Sequence, residues 1–389
     1  MPLPLVDRTV QDTFRTGKAI LKYISRNDVG DTGGHQYGFY LPKNCWQLFT
    51  EMPPKKGIVS KSKVDVLWSD GTVTHSVVTW YGDKTRSEYR LTCFGRGFRF
   101  LQKDNVGNLL VLVPLDYGHF NAYVLESEDD ILAVLNALDI ELIGGTTAVY
   151  EYGRVQSPEA ENACVEGQLQ AFIEGVTEFP KPVDMSAAAR QALEHCIRNL
   201  HTQELDKRLM EAVETEYRLF RLVESRICTP LVTQQFPDID AFLKTAQTIL
   251  QRRKARAGLA FQNQVEALFV EKEVPYCAQP KIDGRPDFIF PSQEAYLDSS
   301  FPPERLTSLA LKTTCKDRWR QVLQEADRCQ QKHLLTLQGG ISVPQLIEMR
   351  NSNVTLVVPK PLQKDYNAKE SGIEILSFEE FTAKVAVAS

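Results

Sequence analysis

Between Leu309 and Asp327 the chain reads LALKTTCKDRWRQVLQEAD, and its hydrophobic period changes within a few residues. Leu309-Ala310-Leu311 is a short apolar run of the kind a buried strand shows, and it ends on Lys312. Beyond two threonines, Trp319, Val322, Leu323 and Ala326 recur at helical spacing, which predicts an amphipathic helix over 317–331. A buried strand feeding directly into a charged helix belongs to an α/β layer. The same reading predicts further strands at 287–290, 333–337 and 354–358, with helices at 343–351 and 378–386.

At 389 residues the chain is too long for one ordinary core, so two domains are expected. Residues 1–150 have a β texture: short β-branched or aromatic runs at 36–41, 63–69, 72–81, 109–114 and 121–125, separated by glycine, proline and aspartate turns. They predict a mainly-β barrel or sandwich with one helix near 129–138. Across 151–184, Glu151, Glu159, Glu161, Glu166, Glu174, Glu178 and Asp184 face only Arg154 and Lys181, and Pro158, Pro180 and Pro182 punctuate the run. That composition reads as an acidic linker with room for one short helix. Residues 185–389 then form a second domain, with helices at 186–200, 204–227, 239–251 and 259–271 decorating the α/β layer.

The net charge of −5 gives no global positive field, so contact with nucleic acid must come from local basic clusters. The opening MPLPLVDRTVQD lacks the basic start and apolar run of a signal peptide, and no apolar run approaches the roughly 20 residues a bilayer requires. Eight cysteines occur without a Cys-x-x-Cys pair. Reduced, buried thiols in a cytoplasmic, non-membrane protein are therefore expected.

Four groups of side chains carry candidate chemistry. Asp287 precedes one predicted strand, Lys312 ends the next, and Glu325 follows on the predicted helix. Two hard carboxylates suit Mg²⁺, and a lysine beside them suits the charge that develops on a phosphodiester under attack. The common nuclease pattern has an acid two residues before the lysine, where this chain has Ala310. The same spacing also arises from a lysine that merely ends a strand before a solvated helix. Arg252-Arg253-Lys254-Ala255-Arg256 concentrates cations at a predicted helix boundary, as a phosphate clamp or a solvated helix end. Lys316-Asp317-Arg318 offers donor, acceptor and donor side by side, which a G·C pair could accept, although on the residues alone capping and surface charge are the favoured explanation. In the β half, Lys84–Arg99 interleaves five cations with Tyr89, Phe94 and Phe98; alternation sets Lys84, Arg86, Glu88 and Arg90 on one strand face, for groove contact or as a solvated edge. His35 follows a double glycine and stays ambiguous, and the other histidines lack metal-ligand spacing.

The segments NDVGDTGGHQYGFYLP, YGDKTRSEYRLTCFGRG, RRKARAG, RPDFIFPSQEAY and LKTTCKDRWRQVLQEAD, in this order, resemble type II restriction endonucleases of the CCGG-reading group. The resemblance spans both halves. It implies a C-terminal PD-(D/E)XK restriction-endonuclease-like α/β domain with helical decoration, and an N-terminal DNA-binding pseudobarrel that takes up a second copy of the site. In that group the second acid is displaced onto the helix after the lysine, which accounts for Ala310 and promotes Glu325. By position, Asp287 and Glu325 would hold Mg²⁺, Lys312 would act beside them, and Tyr296 matches a tyrosine implicated in catalysis, with a packing role as the alternative. Lys316, Asp317 and Arg318 would read the C·G pairs of a CCWGG-type site (W being A or T). His35, Tyr40, Lys84, Arg86, Glu88 and Arg90 fall in the segments that contact effector DNA, and Tyr89 departs there from the relative's lysine.

The same resemblance implies a bacterial or archaeal cytoplasmic enzyme that cuts double-stranded DNA, works as a homodimer through helices of 186–251, and engages two or more sites. The family's effector domain covers the nuclease cleft until DNA binds it, so autoinhibition is expected too. A non-catalytic, sequence-specific DNA-binding regulator with a decayed nuclease core is the alternative, and cleavage separates the two.

Overall fold

The computed structural model describes residues 4–32, 37–50, 53–83, 87–142, 147–152 and 163–388. They divide into two compact units. One comprises the described residues of Met1–Gln156 with Gln338–Leu346 and Asp365–Glu370; the other comprises those of Ser157–Leu337, Ile347–Lys364 and Ser371–Ser389.

The first unit is built on eight strands: β1 (Lys18–Tyr23), β2 (Phe39–Leu41), β3 (Val59–Trp68), β4 (Val73–Tyr81), β5 (Glu88–Thr92), β6 (Leu109–Asp116), β7 (His119–Leu125) and β8 (Thr147–Glu151). Their order is β2-β5-β4-β3-β7-β6-β1-β8, in a nearly closed, barrel-like sheet. Every pairing is antiparallel except β3 with β7. Strand alternation separates two cores. Ile20, Leu110, Leu112, Phe120, Ala122 and Val124 join an aromatic interior around Trp68 and Phe39. Their neighbours Ala19, Leu21, Leu109, Val111, Tyr123 and Leu125 meet the helices Leu5–Thr16 and Glu128–Leu138 on the other side.

Strands β1, β5 and β8 lie outside the expected runs. In β1 both faces are covered, so alternation disappears. Strand β5 reads as charged, yet Tyr89 and Arg90 are both buried in it.

The second unit carries six strands: β9 (Cys277–Ala278), β10 (Phe288–Phe290), β11 (Thr307–Lys312), β12 (Lys332–Thr336), β13 (Val354–Val357) and β14 (Ile375–Leu376). Strands β9, β10 and β11 pair antiparallel, and β11 to β14 run parallel. Long helices at Leu205–Thr233 and Ile239–Glu271 supply the decoration. Phe269 near the end of the latter packs edge-on against Phe288 and Phe290 of β10 and lies tilted beside Phe378, which fixes that helix on the sheet.

Three expectations change, and a fourth, one short helix within the acidic stretch, is met. The segment after Lys312 is a 3₁₀ helix, Arg318–Gln324, rather than an α-helix over 317–331. The expected break between 251 and 259 is absent, and Ile239–Glu271 is one helix. The acidic stretch contributes the helix Ala163–Glu174, whose Val165, Leu169 and Ile173 enter a buried cluster with Met185, Leu193, Leu219 and Phe220. Finally, Cys164 and Cys196 form a disulfide between that helix and Pro182–Cys196, where only reduced thiols were expected. Facing positions on two packed helices put the two sulfurs in reach, which sequence spacing does not reveal. Cys45, Cys228, Cys315 and Cys329 are free and buried as expected, whereas Cys93 is exposed. No helix among the described residues is long and apolar enough to cross a membrane.

Candidate active site

Asp287 stands immediately before β10, where antiparallel pairing sets Phe288 opposite Leu309 of β11. Its Oδ2 accepts a hydrogen bond from the Leu311 amide at 2.7 Å, so the carboxylate lies against β11 one residue before Lys312. Gln279 secures the other side: its amide donates to the Asp287 carbonyl at 2.9 Å and its Nε2 to Oδ1 at 3.1 Å. Gln279 holds a left-handed backbone, φ 46°, a conformation that a non-glycine residue keeps only where surrounding contacts enforce it.

Glu325 follows the 3₁₀ helix with an extended backbone, φ −103° and ψ 140°. A helical reading put it on a solvated helix face. The 3₁₀ turn, with Trp319 and Val322 buried three residues apart, returns the chain toward the sheet instead. Burial pushes the Glu325 carboxyl up to about 7; Lys312 opposes the rise, Asp287 adds to it, and Lys332 opposes it. Its Oε2 is buried with no hydrogen-bond donor among the described residues. Lys312 and Asp287 therefore both act electrostatically on the Glu325 carboxyl.

The turn Asp283-Gly284-Arg285 presses against the Glu325 segment. Gly284 has φ 68°, and a Cβ added there would overlap the Gln324 carbonyl and Glu325 Cα. The Asp283 carbonyl accepts from the Ala326 amide at 3.0 Å, and its Oδ2 from the Asp327 amide at 2.5 Å. The Tyr296 hydroxyl donates to Asp283 Oδ1 at 2.7 Å and accepts from the Arg328 amide at 3.2 Å. Tyr296 is buried, and its hydroxyl is engaged in this network. Lys332 Nζ donates to the Glu325 and Ala326 carbonyls at 2.5 and 2.6 Å. Burial alone would raise the Asp283 pKa, but the Asp327 amide and Tyr296 hydroxyl outweigh it and hold that carboxyl below its ordinary range. Gln279, Asp283, Gly284 and Lys332 were missed by sequence reasoning; Asp-Gly at 283–284 is a visible turn signal, but its partner lies 40 residues on.

The donor set fits a hard divalent cation. A buried, donorless carboxylate oxygen on Glu325 and the charge of Asp287 raising that group's pKa are what a bound cation would relieve. Among the described residues no three His, Cys, Asp or Glu side chains gather as a closed cage.

Lys316, Asp317 and Arg318 lie four to six residues past Lys312, at the entry to the 3₁₀ helix. Lys316 is buried, Asp317 is exposed at the N-cap without a side-chain capping bond, and Arg318 is half-buried. The Arg252–Arg256 cluster, by contrast, is largely consumed inside the unit. Arg253 makes a two-point pair with Glu224 at 2.8 and 2.7 Å, Arg252 lies over Phe179, and Arg256 lies over Tyr217 and Phe220.

In the first unit, Tyr40 of β2 sits opposite Arg90 of β5. Arg90 is only 4% exposed; it donates to the Gly38 carbonyl at 3.2 Å and lies 3.8 Å from Glu88. Its guanidinium is thus drawn inward, away from the outward face that alternation suggested. Tyr89 packs between Trp80 and Phe49 in the barrel interior, so this departure from the relative is a core residue. His35, Lys84 and Arg86 lie outside the described residues.

Residues 220–382 match the family described as "EcoRII C terminal", and residues 15–142 match "Restriction endonuclease EcoRII, N-terminal". The chain is 34% identical over 364 residues to the type II restriction enzyme EcoRII of Escherichia coli, covering 89% of this chain and 88% of that one. Among solved structures, the restriction endonuclease PspGI in complex with substrate DNA matches with TM-score 0.46 and 14% identity, over 54% of this chain and 93% of that chain. Metal-depleted Ecl18kI with uncleaved, modified DNA matches with TM-score 0.42 and 19% identity, over 57% and 84%.

Proposed function

The chain belongs to the EcoRII family of type II restriction endonucleases, and on that footing we propose that it uses Mg²⁺ to cut both strands of DNA at a CCWGG-type site. Asp287 and Glu325 are the residues that would hold the ion. The observation that carries this reading is the buried, donorless Glu325 oxygen beside the charges of Asp287 and Lys312. An ion held by these two carboxylates would supply Lewis-acid polarisation of the scissile phosphate and activation of the attacking water. Lys312, whose ammonium acts on the Glu325 carboxyl, stabilises negative charge on the phosphate oxygens in the transition state. The Leu311 amide and Gln279 hold the Asp287 carboxylate in one orientation, so no reorganisation is required at the moment of reaction.

Lys316, Asp317 and Arg318 are assigned to reading the C·G pairs, close in the chain to the cutting residues. The barrel-like unit, with Tyr40 and Glu88 and the segments holding His35, Lys84 and Arg86, is assigned to a second copy of the site, whose binding activates cleavage. A homodimer through the helical half is supported by exposed Leu231, Val232, Ile239, Phe242, Leu243 and Leu250 on its two long helices.

The test is incubation of the full-length protein with Mg²⁺ and DNA carrying several CCWGG sites. Discrete double-strand products, lost in Lys312→Ala with binding retained, are expected; absence of discrete products would sink the reading. Single-site DNA should be cut faster when a CCWGG duplex is added in trans, and a flat response would remove the second-site element. Sedimentation should give a dimer that Phe242→Glu weakens; a monomeric parent would remove the dimer.

A further inference from the structure

The Glu325 carboxylate reaches its place from an irregular turn, since the 3₁₀ helix has already ended and Ala326 holds a left-handed φ of 48°. The turn has two local backbone hydrogen bonds, from the Glu325 amide to the Val322 carbonyl at 3.2 Å and from the Cys329 amide to the Ala326 carbonyl at 2.9 Å, so the rest of its shape must be imposed from outside. Two groups impose it. Asp283 accepts from two consecutive amides, Ala326 through its carbonyl and Asp327 through its carboxylate. Lys332, buried at the start of β12, donates to two consecutive carbonyls, those of Glu325 and Ala326. Both peptide groups flanking Ala326 are thus held by fixed partners.

Asp283 is itself fixed. Tyr296 donates to its second carboxylate oxygen, and Tyr296 is held by the Arg328 amide. Arg328 in turn donates to the carbonyls of Tyr296, Asp298 and Phe301. With one oxygen on Tyr296 and the other on the Asp327 amide, Asp283 is committed to protein hydrogen bonds. These contacts describe a brace behind Glu325.

We infer that Asp283 and Lys332, with Tyr296 acting through Asp283, are positioning residues that set the Glu325 carboxylate for cation binding. The inference rests on the reading of Glu325 as a metal ligand. It also gives Tyr296 a defined task, as the donor that orients Asp283 rather than as a group that meets the substrate. Partners of this kind, one step behind a ligand, change metal affinity by about 10- to 100-fold when removed.

The experiment is Mn²⁺ binding to the full-length protein, read by electron paramagnetic resonance, alongside the Mg²⁺ dependence of cleavage. Asp283→Ala, Lys332→Met and Tyr296→Phe should each raise half-saturating Mn²⁺ about tenfold, with Glu325→Ala as the reference loss. Cleavage should show the same shift in half-saturating Mg²⁺ while kcat at saturating Mg²⁺ recovers, a split that a directly reacting tyrosine would not give. If Asp283→Ala fails to melt cooperatively, Tyr296→Phe, which removes one hydroxyl, decides. Parent-like Mn²⁺ binding in Tyr296→Phe and any folded Asp283 variant, with binding lost in Glu325→Ala, overturns the brace. Parent-like binding in Glu325→Ala overturns the ligand reading beneath it.

Discussion

The α-carbon of Gly284 lies against the backbone of Glu325, closer than any residue with a Cβ could approach. Because Gly284 also has φ 68°, replacement meets two obstacles, overlap with backbone that cannot move aside and a left-handed conformation. Gly284→Ala should therefore displace the Glu325 turn, lower cleavage by on the order of 100-fold and cost roughly 2–3 kcal/mol of stability. Cleavage rate and thermal melting measure the two effects. A variant with parent-like rate and melting would show that the turn yields freely.

Arg253 and Glu224 form a two-point pair between the long helices, with the Glu224 side chain 9% exposed. Removing one partner of such a pair leaves a buried charge uncompensated, so Arg253→Ala should cost about 3 kcal/mol. Lys254 is exposed, and Lys254→Ala should leave melting unchanged. The salt slope of DNA binding should not change with Arg253→Ala, because an arginine occupied inside the protein releases no phosphate counterions. A slope reduced by about one would return this cluster to the DNA interface.

How far the chain could be read without coordinates differs by region. The strand at 307–312 and the aspartate before Phe288 were legible because a fully buried strand shows as an unbroken apolar run. The 3₁₀ turn was not, since Trp319 and Val322 at a spacing of three satisfy either helical period. Continuity of Ile239–Glu271 was hidden for another reason: Arg252, Arg253 and Arg256 look like a solvated end, but their partners Phe179, Glu224, Tyr217 and Phe220 come from other segments. The brace on Glu325 joins residues 283, 296 and 332, and no local pattern encodes such distant hydrogen bonds. Asp287, Lys312 and Glu325 themselves were recognised through family resemblance where spacing alone left two readings open.

The Cys164–Cys196 disulfide closes a loop with sequence separation 32 at one end of the helical layer. Cross-linking a loop of that length restricts the unfolded chain by about 3–4 kcal/mol in the chain-entropy account. Reductant should lower the melting temperature of the parent and leave a Cys164→Ser/Cys196→Ser double variant unaffected. Equal melting of the parent with and without reductant, after thiol counting confirms reduction, would show that packing of Val165, Leu169 and Ile173 alone secures this helix.

The Glu325 carboxyl couples stability to pH and, if it holds the proposed cation, to metal as well. Its ordinary value is 4.5, and burial, countered by Lys312 and reinforced by Asp287, pushes it up to about 7 in the folded chain. The folded state therefore holds a proton that the unfolded state releases, so this group's contribution is fully present below pH 4.5 and is lost as pH rises through 7. In metal-free buffer the parent should lose melting temperature between pH 5 and pH 8 relative to Glu325→Gln, which cannot ionise there. On the proposed reading of Glu325 as a metal ligand, a bound divalent cation would replace that proton. Mg²⁺ should then stabilise the parent more at pH 8 than at pH 6, and half-saturating Mg²⁺ should fall as pH rises, levelling above 7. Differential scanning calorimetry across this range, with and without Mg²⁺, checks both. Parallel pH profiles for the parent and Glu325→Gln would mean that Glu325 carries its charge at little cost and that the cation is held elsewhere.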